Sequence, residues 1–356
     1  AAEARVLAVA HALAEAGVRR IGGDLVLDEG DFATPAPGPS WPDASQRWAE
    51  YCALAGGFSI NAGVLHARVA ASAVGQNASL TVHPRAHGLE SSYGVKTVAG
   101  SAVDVRVGAT GATATVKGTI GAKLGPYEAQ FAHPDPVLLF GAVLQDALRA
   151  AGITLDGTLV RRRGVPRGKT LAELRSPLAE SLAPINAESR NSVADQLFFS
   201  LGHALAGEGT RAGGARAVTE ALARLGVPRE DLVQVDGSGL SRENGVSARA
   251  VTALLERVLG ADPAAARLYQ QSLAVMGRKG TLEERLKGTP AEGRVFAKTG
   301  WISGVSALSG YLVPEHGRPS VFSILIEYPS ELGGLNTGAW KPLQDELVLL
   351  FLGGGA

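Results

Sequence analysis

Residues 294–313, RVFAKTGWISGVSALSGYLV, restrict what this chain can become more than any other stretch of it. An apolar-alternating run ends in Gly300, and a second strand-like run, Val305–Val313, follows at once. Two-residue periodicity on both sides of a short break is the mark of a β-hairpin. This hairpin carries the Lys298 ammonium and the Thr299 hydroxyl on one edge, immediately before Gly300. A third strand-like run, 320–328, extends it into a sheet, and a helix over about 338–352 follows. That helix places Trp340, Leu343, Leu347 and Leu350 on one face, and the expectation is that this face docks on the sheet.

At 356 residues, the chain is long enough for two or three cores. Its 46% apolar and 19% charged content describes a globular protein rather than a disordered one. The 34 basic and 34 acidic residues balance, so no global field draws it to nucleic acid or anionic lipid. Cys52 is the only cysteine, which excludes an internal disulfide and a thiolate metal cluster. No apolar run approaches the roughly 20 residues that span a bilayer. The first residue is Ala and the only methionine is Met276, so the chain is not expected to begin at an initiator. The opening AAEARVLAVAHALAEAG carries Glu3, Arg5 and Glu15 and is no signal-peptide core.

Along the chain, residues 1–60 read as an amphipathic helix, a Gly17 stop, a short strand at Asp24–Leu27 and an irregular Pro/Gly-rich segment. Residues 61–170 read as β-rich, with period-two runs around Val64–Ala70 and Val103–Val107. Within them, Asp135-Pro136 opens a helix that Gly152 closes, and a strand follows over Ile153–Val160. ALAEAGVRRIGGDLV near the start and ALRAAGITLDGTLV near 150 share an outline, though helix, Gly stop and strand is a common unit. The basic stretch Arg161–Lys169 reads as a boundary. Residues 171–356 are helical to about Leu225, then carry the DGSGLSREN turn (Asp236–Asn244), a helix over Ser247–Leu259 and the sheet described above.

Ser189-Arg190-Asn191 lies between a helical segment, Leu178–Leu182, and a strongly periodic one, Val193 to Leu205. Taken alone, Ser189 or Asn191 is most simply the cap of the second helix. The chemical alternative is a hydroxyl that relays a proton to a leaving amine, beside an amide that hydrogen-bonds a substrate backbone. An isolated Lys-Thr-Gly is likewise most simply a solvated strand lysine. The chemical alternative sets the Lys298 ammonium near a substrate carboxylate, with Gly300 clearing the strand edge for the substrate backbone.

The order, spacing and flanking residues of these two motifs carry a resemblance. SRNSVADQLFFSLG, VDGSGLSRENGVSARAVTALL, GTLEERL followed by GRVFAKTG, and SGVSALSGYLV resemble the D-Ala-D-Ala carboxypeptidase/endopeptidase family. These are the class C low-molecular-mass penicillin-binding proteins. The likeness continues upstream through GVRRIGGDLVLDEGDF and HPDPVLLFGAVLQDALRAAGITLDGTLV. It implies an α/β (α+β) fold: a penicillin-recognising serine acyl-transferase domain, an antiparallel sheet flanked by helices, with large inserted β-rich domains. Residues 1–60 and 61–170 would belong to the inserts, and 171–356 to the C-terminal part of the acyl-transferase domain.

The resemblance further implies a serine that attacks D-Ala-D-Ala in a peptidoglycan stem peptide, an acyl-enzyme, and acylation by β-lactams. Ser189, Asn191 and Lys298 would be the catalytic residues, and Thr299, Gly300 and Trp301 would bind substrate. An exported location, in the periplasm or cell envelope, follows from such a substrate; no metal or organic cofactor is implied. Two departures stand out. No serine in the sequence has a lysine three positions on, so the family's nucleophile motif is absent and is expected upstream of Ala1. Trp301 also stands where the family usually has Thr or Ser, whose hydroxyl helps hold the substrate carboxylate. A non-catalytic peptidoglycan-binding scaffold is the competing reading; a β-lactamase shares the motifs but not the inserts.

Other motifs carry less. Gly164 stands one residue too close to Gly168-Lys169-Thr170 for a phosphate loop. His83 and His87 have i, i+4 spacing, but Pro84 intervenes, which makes a metal pair a poor reading. Ser238 lacks the flanking glycines of a nucleophile elbow, with Asp236 and Leu240 in their places.

Overall fold

A computed structural model describes residues 2–110, 112–166, 168–316, 318–332 and 334–353. Arg167, within the basic stretch read as a boundary, lies outside the described residues. The chain divides into two compact units. One holds residues 1–37, 41–175 and 208–210; the other holds 38–40, 176–207 and 211–356.

The first unit begins with helix α1 (Ala2–Glu15) and strands β1 (Arg20–Ile21) and β2 (Leu25–Asp28). Strands β3 (Val64–Ala70), β4 (Ser79–His83), β5 (Glu90–Val98), β6 (Val103–Thr110), β7 (Thr113–Gly121) and β8 (Tyr127–Ala132) follow. Helix α2 (Pro136–Ala150) and strands β9 (Thr154–Leu155) and β10 (Leu159–Arg162) complete it. The run Ile153–Val160, expected as one strand, is broken into β9 and β10 at Asp156–Thr158. Asp24 Oδ1 accepts the Thr158 backbone N–H at 3.0 Å there.

The strands form sheets β4-β3-β8 and β5-β7-β6. Leu65, Ala67 and Val69 of β3 point into the core with Val116 and Ile120 of β7, Phe131 of β8, Val6 of α1 and Leu139 of α2, while Arg68 points outward. Asp135 Oδ1 caps α2 by accepting from Val137 N at 3.1 Å and Leu138 N at 3.0 Å. The two segments with a shared outline lie side by side. β1 pairs parallel with β9 (Arg20 opposite Thr154) and β2 with β10 (Leu25 opposite Leu159).

The second unit contains helices α3 (Leu178–Asn186), α4 (Asn191–Ala206) and α5 (Arg211–Arg224). Next come β11 (Leu232–Val233), β12 (Gly245–Val246), α6 (Ala248–Leu259), α7 (Pro263–Ser272) and β13 (Ala274–Val275). Strands β14 (Val295–Ile302), β15 (Val305–Leu312) and β16 (Ser320–Glu327) and helix α8 (Lys341–Gly353) close the unit. The sheet has the order β13-β14-β15-β16 and is antiparallel throughout. One face buries Phe296, Tyr311 and Val321 against Leu255 of α6 and Leu273 beyond α7. The other buries Ala297, Leu308 and Phe322 against Val348 of α8. This is the mixed α/β architecture expected from the sequence.

The docking face of α8 differs from the expectation. Gln344 and Val348 are buried, whereas Leu343 and Leu350 are exposed. The helix turns this way because Gln344 satisfies polar groups beneath it. Its Nε2 donates to Ser306 Oγ at 3.1 Å, and its Oε1 accepts from Arg285 Nη1 at 3.3 Å.

Candidate active site

Strand β14 pairs with β15 along its whole length, but β13 reaches only as far as Ala297 on the other side. Beyond that point, Lys298 to Ile302 present an edge with which no described strand pairs. Such an edge offers backbone N–H and C=O groups to an extended peptide. The pleat sends Lys298 and Gly300 to one face and Thr299 and Trp301 to the other.

Lys298 Nζ donates to Ser189 Oγ at 2.7 Å and to the Thr299 carbonyl at 2.6 Å. Burial pushes the Lys298 pKa down to about 8. Ser189 sits in the turn between α3 and α4 with φ +59°, a left-handed conformation that costs a non-glycine residue about 1–3 kcal/mol. The turn is held by bonds from Glu188 N to Ala183 O at 3.2 Å and from Arg190 N to Pro184 O at 2.9 Å. The cap position of α4 is Arg190, with no side-chain cap, and Asn191 is the first helical residue. The simple capping role considered for Ser189 and Asn191 is therefore not what this turn provides.

Thr299 Oγ1 lies 2.9 Å from Thr281 Oγ1, and Trp301 Nε1 donates to Tyr328 Oη at 3.2 Å. Trp301 is nonetheless 59% exposed. A Cβ on Gly300 would come within 3.2 Å of Ala307 Cβ, its cross-strand partner, so the tightness at this glycine is toward β15. The DGSGLSREN turn reaches the same region, since Arg242 Nη1 donates to Ser303 O at 2.7 Å at the end of β14.

Two further residues lie near these groups. Thr281 lies in GTLEERL, in a short helical turn (Gly280–Leu282) hydrogen-bonded to Ala187 O through its own N–H at 3.0 Å. Gly280 makes that approach possible: its φ is +66°, and a Cβ there would fall 2.4 Å from Ala187 O. Asp195 is buried on α4 one turn after Asn191, and its Oδ1 accepts from Gly237 N and Ser238 N at 2.8 and 2.9 Å. A lone Thr and a helical Asp give no sequence signal; their roles exist only once the turns are folded against each other.

The histidines singled out by spacing diverge in the first unit. His83 Nε2 is 3.3 Å from Glu3 Oε2, while His87 Nε2 is 3.0 Å from Asp146 Oδ2. Among the described residues, no group of three or more His, Cys, Asp or Glu is placed to hold a metal ion.

Residues 2–338 match the D-Ala-D-Ala carboxypeptidase 3 (S13) family. The chain belongs to this family. It is 36% identical over 338 residues to a D-alanyl-D-alanine carboxypeptidase of Actinomadura sp. (strain R39), covering 89% of this chain and 62% of that protein. It is 28% identical over 212 residues to the D-alanyl-D-alanine carboxypeptidase DacB of Haemophilus influenzae, covering 58% of this chain and 44% of the relative. The chain thus spans less than two thirds of the length of either relative. The crystal structure of penicillin binding protein 4 from Haemophilus influenzae superposes with a TM-score of 0.74 at 25% identity, over 91% of this chain and 73% of that one. The same protein complexed with a β-lactam superposes with a TM-score of 0.66 at 24% identity, over 91% and 72%.

Proposed function

We propose that this chain carries the proton-relay and substrate-binding side of a serine-type D-Ala-D-Ala carboxypeptidase/endopeptidase. Such an enzyme acts on peptidoglycan stem peptides through an acyl-enzyme and is inhibited by β-lactams. The observation that carries the reading is the 2.7 Å bond from Lys298 Nζ to Ser189 Oγ beside the open edge of β14. Because the ammonium donates to the Ser189 oxygen, the hydroxyl proton of Ser189 is free to point elsewhere. A serine gives its proton to its partner lysine, and its oxygen attacks the penultimate carbonyl. When the C–N bond breaks, the departing D-Ala nitrogen takes the Ser189 proton, which the proton held by that lysine then replaces. Lys298 stabilises the oxygen left behind and the charge developing around it. Asn191 anchors the substrate amide, Thr299 contacts the terminal carboxylate, Gly300 clears the strand edge, and Trp301 borders the same edge. Membership of the family and the 36% identity to a D-alanyl-D-alanine carboxypeptidase support this assignment.

The sequence holds no Ser-x-x-Lys, so the attacking serine and its lysine are proposed to lie outside these 356 residues. A peptidoglycan substrate places the enzyme in the periplasm or cell envelope; among the described residues no helix is long and apolar enough to cross a membrane. The missing motif also favours a second reading, a peptidoglycan-binding scaffold without chemistry.

Intact mass of the protein purified from its source, before and after benzylpenicillin, separates the two. A one-drug adduct on a serine outside the 356 residues supports the peptidase. A mass of 36.6 kDa with no adduct supports the scaffold.

A further inference from the structure

The Thr281–Thr299 hydroxyl pair is left unexplained by the roles above. We propose that Thr281 is a second carboxylate-binding residue, its hydroxyl acting with that of Thr299 to hold the C-terminal carboxylate of the ligand; this rests on the function proposed in the preceding subsection. The oxygens are 2.9 Å apart, a hydrogen bond between hydroxyls. Each hydroxyl has one proton and two lone pairs, so a bonded pair always keeps one O–H for a ligand, and rotation releases both. Thr281 is exposed and Thr299 partly so, which leaves the pair open to a ligand on the strand edge. Trp301 cannot add a hydroxyl, and its indole N–H is already given to Tyr328.

The placement of Thr281 is built rather than incidental. Its own N–H is fixed on Ala187 O, Leu282 beside it is fully buried, and Gly280 admits the close approach. Ala187 is two residues before Ser189, so one turn fixes Thr281 against both the Ser189 segment and β14. A hydroxyl held this way binds a charged oxygen without first losing freedom. The occupant matching two adjacent hydroxyls at an open strand edge is a carboxylate, which accepts through both oxygens.

The test titrates diacetyl-Lys-D-Ala-D-Ala and its C-terminal carboxamide into the 356-residue protein and its variants, with affinities read by NMR. The native protein should prefer the acid. Thr281→Val, which keeps shape and removes the hydroxyl, should weaken the acid about tenfold and leave the amide unchanged. Thr281→Ser should restore the acid. An unchanged acid affinity in Thr281→Val, equal losses of acid and amide, or no recovery in Thr281→Ser would overturn the proposal while leaving the proposed function standing. A native protein that binds acid and amide alike, or neither, would overturn both.

Discussion

Asp195 Oδ1 accepts the backbone N–H of Gly237 at 2.8 Å, tying α4, which begins at Asn191, to the DGSGLSREN turn. The turn lies directly against the helix backbone. A Cβ on Gly237 would fall 2.6 Å from Ala194 O, so only glycine lets the turn lie on the helix. Asp236, next in the turn, accepts from Gly239 N and Ser241 N at 2.8 Å each and from Asn244 Nδ2 at 2.8 Å. Two buried carboxylates therefore organise one turn, and Asp195 Oδ2 is buried without a hydrogen-bond partner.

That arrangement has a pH signature. Burial, and then the neighbouring Asp236 charge, push the Asp195 pKa up to about 6 against the opposing pull of Arg211 on α5 and the bonds from Gly237 and Ser238. A carboxyl whose folded pKa lies above its unfolded value of 3.8 stabilises the fold below that value and loses the contribution as pH rises through about 6. Native protein should lose about 1–3 kcal/mol from this group between its two pKa values. Asp195→Asn should flatten that slope. Urea unfolding at intervals across this range measures it, and an identical slope in the Asn variant would count against the assignment.

The sequence was most informative where local chemistry dictates local form. Asp135-Pro136 announced α2, and the alternation around Lys298 announced β14 and β15, because caps and pleats are properties of a few adjacent residues. The break at Asp156–Thr158 and the face of α8 were not legible, since each is decided by a partner distant in sequence: Asp24 for the first, Ser306 and Arg285 for the second. Helix α7 carries a signal of the same kind as α2: Asp262 accepts from Ala264 N and Ala265 N, and Pro263 opens the helix. Thr281 and Asp195 belong with the partner-decided features.

Lys298 should impose an alkaline limit on carboxylate binding. With burial holding its pKa at about 8, the ammonium is present at neutral pH and disappears as pH rises further. Affinity for diacetyl-Lys-D-Ala-D-Ala should fall about tenfold for each further pH unit above that point if the charge is essential. Lys298→Arg should show a flat profile there, because a guanidinium stays charged. The slope is the decisive readout, and parallel slopes in the two proteins would remove Lys298 from the binding site. In a protein that also carries the proposed attacking serine, Lys298→Ala should slow acylation by about 100-fold or more.

Position 301 offers a rescue experiment. Thr299 and Trp301 lie on the same face of β14, about 7 Å apart along the strand. A hydroxyl at 301 would stand one pleat repeat along the same strand face from Thr299. Trp301→Thr introduced into Thr281→Val should recover part of the lost affinity for the acid and none for the amide. Titration of the double variant checks this, and an acid affinity no better than that of Thr281→Val would mean that the strand face does not contact the carboxylate.

Helix α8 should owe more of its attachment to Gln344 than to the exposed Leu350. Gln344 is 1% exposed and joins Ser306 on β15 to Arg285, which also donates to Asp345 Oδ1 at 2.7 Å. Gln344→Leu preserves bulk but strands the buried Ser306 hydroxyl and removes an acceptor from the guanidinium. Leaving such groups unpaired costs about 1–3 kcal/mol each. Leu350, 65% exposed, makes the opposite case, and Leu350→Gln should change stability by less than about 0.5 kcal/mol. Denaturant midpoints of both variants of the 356-residue protein measure the contrast. A larger loss at Leu350 than at Gln344 would restore the face read from the apolar spacing and displace the one the hydrogen bonds select.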